Sequence, residues 1–181
     1  MASNRHLGRI VVLQSLYEHE FRFKAGDASA EMDSIIAKNI EPYAKALGDT
    51  EFVYDLAHAV VAASKKLDET LQPLAPEWPI NSLSSIDRNI LRMGLFELES
   101  KQVPPKVAIN EAVELAKSFG SDNSSKFING VLGTAFRNLD PAASKPQSSE
   151  GNHETVKTSP KASSKNSQTV EKTSNDSSQA K

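Results

Sequence analysis

Apolar residues recur every three or four positions along residues 4–138, which is the spacing that one face of an amphipathic helix requires. Segments containing glycine and proline interrupt the pattern. The pattern predicts six helices, over about residues 4–24, 30–47, 50–67, 84–98, 107–119 and 124–138. Because no two-residue alternation of apolar and polar side chains favours a strand, the predicted fold class is all-α.

A proline-rich connection divides the predicted helices into two groups of three. Pro73, Pro76 and Pro79 lie around Trp78, between the third and fourth helices. Proline disrupts a helix because it lacks an N–H and its ring clashes with the preceding turn. The predicted architecture is therefore two three-helix subdomains. Pro42 falls inside the second predicted helix, where we expect a kink or a split.

Side chains at the helix ends and one glycine give local predictions. Asp49 and Ser84 are predicted N-caps, and Asp87 stands where a capping box places its acidic residue. Gly130 interrupts the apolar stripe of the last helix, at a cost of about 1 kcal/mol relative to alanine. We expect another helix to pack closely against Gly130.

Residues 141–181 differ in composition from the rest of the chain. They contain no aromatic residue, and Val156 and Val170 are their only large aliphatic side chains. Such a segment buries too little apolar surface to offset the entropy lost on folding. We therefore expect a helical domain over residues 1–140 and a disordered tail, rich in serine, threonine and lysine, over residues 141–181.

The charge of the predicted domain limits how it can bind a polyanion. The formal net charge is −2 for the chain and +2 for residues 141–181, which leaves −4 for residues 1–140. An acidic domain is not a general binder of nucleic acid, so any RNA must contact a local basic patch. The six lysines of the tail offer only weak, salt-sensitive attraction.

The residue types exclude several kinds of site. The chain has no cysteine, which excludes disulfides and thiolate chemistry. None of the histidines has a second histidine four residues away, as a zinc-binding helix requires. No nucleophile lies beside a base, so we expect no enzyme activity, no metal and no cofactor.

Neither a signal-peptide core nor a run of about 20 apolar residues is present in the sequence. We therefore expect no membrane association and a location in the cytoplasm.

Glu111 lies among inward-facing residues of the fifth predicted helix and needs a partner rather than solvent. Arg92, on the preceding helix, is the predicted partner in a structural ion pair. A catalytic carboxylate pair of Glu111 with Glu114 is the alternative.

Four blocks of sequence, in order, resemble the NusB family. They are Arg9–Tyr17, Ile86–Leu98, Val103–Gly120 and Ser125–Leu132, the third containing the stretch Ala-Ile-Asn-Glu-Ala-Val-Glu-Leu-Ala-Lys-Ser-Phe-Gly. Together the resemblance extends from about residue 5 to residue 138. It implies an all-α fold of two three-helix subdomains without catalytic activity.

The resemblance also implies partners. Members of the family bind the boxA element of ribosomal RNA leader transcripts together with NusE, a small-subunit ribosomal protein that doubles as a transcription factor. The complex joins the RNA polymerase elongation complex with other Nus factors and suppresses termination. Some relatives self-associate through the RNA-binding surface, so a homodimer remains an open alternative.

The family's RNA contacts come from the start of the first helix and from the loop before the last helix. The matching residues here are Arg5, His6, Arg9, Phe119, Asn123, Lys126 and Phe127. Arginine makes forked contacts to phosphate, and aromatic rings stack on unpaired bases. The alternatives are core packing for the two phenylalanines and a solvated face for the two arginines.

Two features modify the RNA interpretation. Leu7 and Gly8 separate the basic residues of the first helix, whereas relatives often have more arginines there, which predicts fewer phosphate contacts and weaker binding. Asn123 stands where many relatives have an acid, which reduces repulsion of phosphate. A helical protein-binding adaptor with weak or lost RNA binding is therefore the alternative function.

The surface of the family that faces NusE includes the start of the central helix. Asp87 is the position expected to contact NusE, with Arg88 beside it. The competing interpretation is that Asp87 serves only to complete the capping box.

Overall fold

The computed structural model describes residues 2–141, and within them the chain is all-helical. The prediction for the tail, residues 142–181, lies outside the described residues. Seven α-helices follow in order: α1 (Ala2–Lys24), α2 (Met32–Ile40), α3 (Ala44–Leu47), α4 (Glu51–Leu71), α5 (Ser85–Ser100), α6 (Pro105–Phe119) and α7 (Ser124–Leu139). The prediction of an all-α fold is confirmed.

The second predicted helix is divided at the predicted proline. α2 ends at Ile40, a short 3-10 turn runs over Glu41–Tyr43, and α3 continues to Leu47. Pro42 cannot donate a backbone hydrogen bond, so the α-helical ladder is broken there. Gly48 ends α3 with a φ of 68°, a conformation that side-chain-bearing residues rarely adopt.

The proline-rich connection separates α1–α4 from α5–α7 as predicted. It contains two 3-10 turns, Gln72–Leu74 and Ile80–Ser82. The two groups nevertheless share one hydrophobic core, because α5 packs against α1 and α4 as well as against α6 and α7. α5 is therefore the central helix, and Ile90, Leu91 and Leu95 on it are completely buried.

The close helix approach occurs at Gly94 and not at Gly130. A Cβ added at Gly94 would lie 2.5 Å from the Cδ1 atom of Leu132 and 3.3 Å from the Cβ atom of Ala112, so α6 and α7 both approach α5 there. Gly130 is exposed, and a Cβ added to it would meet nothing within 4 Å. The prediction for Gly130 was wrong because the glycine faces away from the neighbouring helices.

Of the two predicted N-caps, Ser84 is confirmed. Its Oγ atom accepts a hydrogen bond from the backbone N–H of Asp87 at 3.0 Å. The capping box is incomplete, because the Oδ1 atom of Asp87 is buried without a hydrogen-bond partner in the described part of the chain. Thr50, rather than Asp49, is the residue that precedes α4, although Asp49 accepts a bond from the N–H of Phe52 at 3.4 Å.

Across residues 2–141, no helix combines the length and the apolar character that crossing a membrane requires.

Candidate nucleic-acid interface

Arg9 is buried in the core of the domain, in contrast to the sequence prediction. Its side chain is 3% exposed. The Nε atom donates to both carboxylate oxygens of Glu97 on α5, at 3.1 and 3.0 Å, and Nη2 donates to Oε1 at 2.6 Å. A guanidinium held in this way is not available to phosphate, so the prediction of Arg9 as an RNA contact was wrong.

The sequence contains a signal for the burial of Arg9. Residues three and four positions apart share one face of a helix. Val12 and Leu13 follow Arg9 at those intervals and are both buried, so the arginine lies on the inward face of α1. Glu97 likewise follows Met93 and Gly94, which are buried in α5, and sequence reasoning missed it as the partner.

Glu111 pairs with the start of α1 and not with Arg92. Its Oε2 atom lies 2.8 Å from the Nδ1 atom of His6 and 3.6 Å from the Nη1 atom of Arg9. Arg92 instead donates to both carboxylate oxygens of Asp68 on α4, at 2.7 and 2.6 Å. The predicted Arg92–Glu111 pair is therefore wrong, because Arg92 faces α4 while Glu111 faces α1.

Arg5 is the one predicted arginine that remains at the surface. Its side chain is 54% exposed, and its guanidinium lies 4.3 Å above the centre of the Phe52 ring and 3.1 Å from Asp49. Gly8 permits this packing, since a Cβ there would lie only 2.9 Å from the Phe52 ring. Glu51 and Asp55 line the same cleft. The acidic surroundings of Arg5 weaken its attraction for phosphate.

The connection between α6 and α7 presents aromatic, amide and cationic groups to solvent, together with the carboxylate of Asp122. Phe119, the last residue of α6, is 38% exposed, and Asn123 and Lys126 are also exposed. Phe127 is half-buried and packs against the hydrophobic core, which favours the core interpretation for that ring. The exposure of Phe119 leaves it available for stacking.

α6 connects the two parts of the candidate interface. Glu111 on this helix contacts His6 of α1, and Phe119 lies eight residues later at the end of the helix. The rise of an α-helix makes that separation about 12 Å. The start of α1 and the α6–α7 connection are therefore close enough for one short RNA segment.

Asp87 and Arg88 occupy different environments, although they are neighbours in sequence. Arg88 is 4% exposed and donates to the backbone carbonyls of Ile80, Asn81 and Leu83, each at 3.2 Å. It holds the proline-rich connection against α5, so the prediction that it contacts a partner was wrong. Asp87 lies at the start of α5, partly exposed.

Glu20 is a second centre of buried charge that the sequence did not reveal. It accepts hydrogen bonds from Arg88, from Lys24 at 2.5 Å and from Asn89 at 3.0 Å. Burial raises the pKa of Glu20, but these hydrogen bonds outweigh burial and lower the pKa to about 2. Glu20 therefore remains charged and ties α1 to the start of α5.

No cluster of three or more histidine, aspartate or glutamate side chains that could hold a metal occurs within residues 2–141.

Fold and surface together define an all-helical protein in which α1–α4 and α5–α7 share one core, with exposed aromatic, amide and cationic side chains at the α6–α7 connection. The chain belongs to the NusB family, whose sequence model matches residues 6–137.

Individual relatives agree with the family assignment. The transcription antitermination protein NusB of Dehalococcoides mccartyi strain CBDB1 is 41% identical over 140 residues, covering 77% of this chain and 94% of the relative. The structure of T. maritima NusB is similar with a TM-score of 0.64 and 30% identity, over 74% of this chain and 90% of that one. A structure of the antitermination factors NusB and NusE in complex with double-stranded RNA shares the fold, with a TM-score of 0.65 and 23% identity over 76% and 99% of the two chains.

Proposed function

We propose that this protein is a transcription antitermination factor that binds boxA RNA together with NusE. The RNA–protein complex then joins the RNA polymerase elongation complex, with other Nus factors, and suppresses termination. The proposal is supported by relatives that are about 40% identical over nearly their whole length and are named as transcription antitermination proteins. Since bacterial transcription takes place in the cytoplasm, we expect the protein to act there and not as an enzyme.

The observation that carries the RNA part of the proposal is the surface at the α6–α7 connection. Phe119 offers a ring for stacking, Asn123 offers hydrogen bonds, and Lys126 offers a cation, all of them exposed. The first turn of α7 contains no acidic residue, so its N-terminal N–H groups attract phosphate, although the exposed carboxylate of Asp122 just before the helix offsets part of that attraction. Arg5 extends the surface at the start of α1.

Asp87 supports the NusE part of the proposal. The N-cap of α5 uses the Ser84 hydroxyl and the backbone N–H of Asp87, which leaves the carboxylate uncommitted. The Oδ1 atom of Asp87 is buried without a partner in the described residues, and such an atom costs free energy until a donor reaches it. Since Asp87 as a whole is partly exposed at the start of α5, a cationic side chain of NusE would pair with the accessible part of its carboxylate.

The alternative function, a helical adaptor with weak or lost RNA binding, is favoured by one observation. Of the two arginines expected to bind phosphate, Arg9 is buried with Glu97 and Arg5 is paired with Asp49. The α1 end of the surface therefore contributes less cationic charge than the sequence suggested.

Titration of labelled RNA decides between the two functions. The protein is added to boxA RNA and to an RNA of the same composition in permuted order, each with and without NusE. The proposal predicts tighter binding of boxA RNA than of the permuted RNA, and a further gain when NusE is present. Absence of RNA binding in the presence of NusE, with NusE itself bound, would establish the adaptor function instead.

A further inference from the structure

Trp78 is a large aromatic side chain that the fold holds in solvent. It is 59% exposed, although tryptophan carries more apolar surface than any other residue type. Its backbone N–H donates to the carbonyl of Ala75 at 3.0 Å, and Pro76 and Pro79 restrict the chain on either side. The ring is therefore displayed on a stiff segment, and a partner that covers it would have little backbone entropy to remove.

The Trp78 ring lines a cleft between the proline-rich connection and α7. The cleft has a volume of about 420 Å³, and Lys126, Phe127 and Gly130 are among the α7 residues that form its wall. Gly130 keeps that wall open, since it has no side chain and no neighbour within 4 Å of the position that a Cβ would take. Lys126 makes no ion pair within the described residues, so its ammonium group can meet an anion.

We propose that this cleft, named here the Trp78 cleft, binds one nucleotide of single-stranded RNA. The indole stacks on the base and Lys126 contacts the adjoining phosphate. The inference rests on the proposed function, because Lys126 belongs both to the cleft and to the RNA surface at the α6–α7 connection. An RNA strand bound at the α6–α7 connection would therefore continue along α7 to the proline-rich connection.

The chemistry of the cleft favours a nucleotide over a peptide. An aromatic face beside a cation is the arrangement that single-stranded nucleic acid uses, since every base has a face to stack. Glu77 is the single acid among the residues that line the cleft. Glu77 is exposed beside Trp78 and repels phosphate, which favours a phosphate position next to Lys126.

Fluorescence provides a direct readout, because Trp78 is the only tryptophan of the chain. The full-length protein is titrated with boxA RNA at low salt without NusE, and tryptophan emission is followed together with the anisotropy of labelled RNA. Stacking on a base predicts that emission is quenched over the same RNA concentrations at which anisotropy rises. Unchanged emission while RNA binds would overturn the inference and leave the proposed function intact.

Substitutions give the second measurement. Trp78→Ala is expected to weaken RNA binding by about 5- to 100-fold, as loss of one stacked base does elsewhere, whereas Trp78→Phe retains most of the affinity. Phe23→Ala is the matched control, since Phe23 is 74% exposed on α1 and does not line the cleft. Equal affinity of wild type and Trp78→Ala, or loss of NusE binding alone, would contradict the inference. Failure of wild type to bind RNA even when NusE is present would instead refute the proposed function.

Discussion

The two arginines at the start of α1 illustrate how much one helical turn changes the role of a side chain. Arg5 is exposed and lies above the Phe52 ring, whereas Arg9 lies beneath the surface and is hydrogen-bonded to Glu97. Both side chains carry the same charge. Their different roles therefore follow only from where each lies relative to the core. Their substitutions should therefore destabilise the fold to very different extents.

Replacing Arg9 by alanine is expected to lower the free energy of unfolding by about 3–5 kcal/mol, because it leaves Glu97 buried without its partner. Replacing Arg5 by alanine removes an exposed pair with Asp49 and should cost about 0.5 kcal/mol or less. Urea denaturation followed by circular dichroism measures both values. Equal losses for the two variants would show that the burial of Arg9 has no energetic consequence.

Glu20 gives a residue-scale prediction with a defined pH dependence. Its pKa is about 2 in the folded protein against 4.5 as the ordinary value, so it stabilises the fold above pH 4.5 and loses that contribution as pH falls toward 2. Glu20→Gln is expected to lower the free energy of unfolding by about 3 kcal/mol at pH 7. The difference from wild type should shrink markedly by about pH 3.

The exposed pair Glu114–Lys117 supplies the control for Glu20. Both side chains are 56% exposed, so Glu114→Gln should change stability little at either pH. A difference between wild type and Glu20→Gln that stays constant with pH would contradict the role assigned to Glu20.

For single residues, the sequence indicated which side chains need a hydrogen-bonding or ionic partner, but not which residue supplies it. The need of Glu111 for a partner was predicted, while the partners proved to be His6 and Arg9 rather than Arg92. Helical periodicity states which face a residue occupies on its own helix. It does not state which helix faces it, because that depends on how all the helices pack.

Individual helices were predicted more accurately than single contacts. The bounds of α1, α6 and α7 differ from the prediction by two residues or fewer, and the break at Pro42 occurs where expected. These features are local, since they follow from periodicity and from the missing N–H of proline. The close approach was assigned to the wrong glycine, because a pattern shows that a glycine lies in a helix and not what packs against it.

Alanine at the two glycines tests the helix packing. Gly94→Ala is expected to lower the free energy of unfolding by about 1–3 kcal/mol, since the new methyl group would meet Leu132 and Ala112. Gly130→Ala should raise it by up to about 1 kcal/mol, because alanine is the better helix former and the site is open. Thermal denaturation of both variants shows whether each substitution raises or lowers stability. Stabilisation by Gly94→Ala would contradict the packing of α5 against α7.

At the scale of the whole molecule, an acidic domain is proposed to bind RNA through a small surface. Residues 1–140 carry a formal charge of −4, and the cleft beside Arg5 is lined with carboxylates. Few exposed cations remain at the candidate surface, so we expect tight RNA binding to need additional contacts from a partner protein. NusE would supply further contacts to the same RNA.

Asp87 is the residue that we propose contacts NusE. Asp87→Lys is expected to abolish co-purification with NusE while the helix cap remains, because the cap uses the Ser84 hydroxyl and a backbone N–H. Glu69→Lys, an equal charge reversal at an exposed position of α4, is the control. Retention of NusE by Asp87→Lys, with an unchanged melting temperature, would remove Asp87 from the interface.

The salt dependence of boxA binding tests the central claim most directly. Affinity for boxA RNA in the presence of NusE is measured from about 50 to 200 mM salt for wild type, Lys126→Ala and the exposed control Lys65→Ala. If Lys126 contacts one phosphate, its loss should reduce the slope of log affinity against log salt by about 0.7, with no change for Lys65→Ala. A slope that is the same for all three proteins, or the absence of boxA binding, would contradict the account.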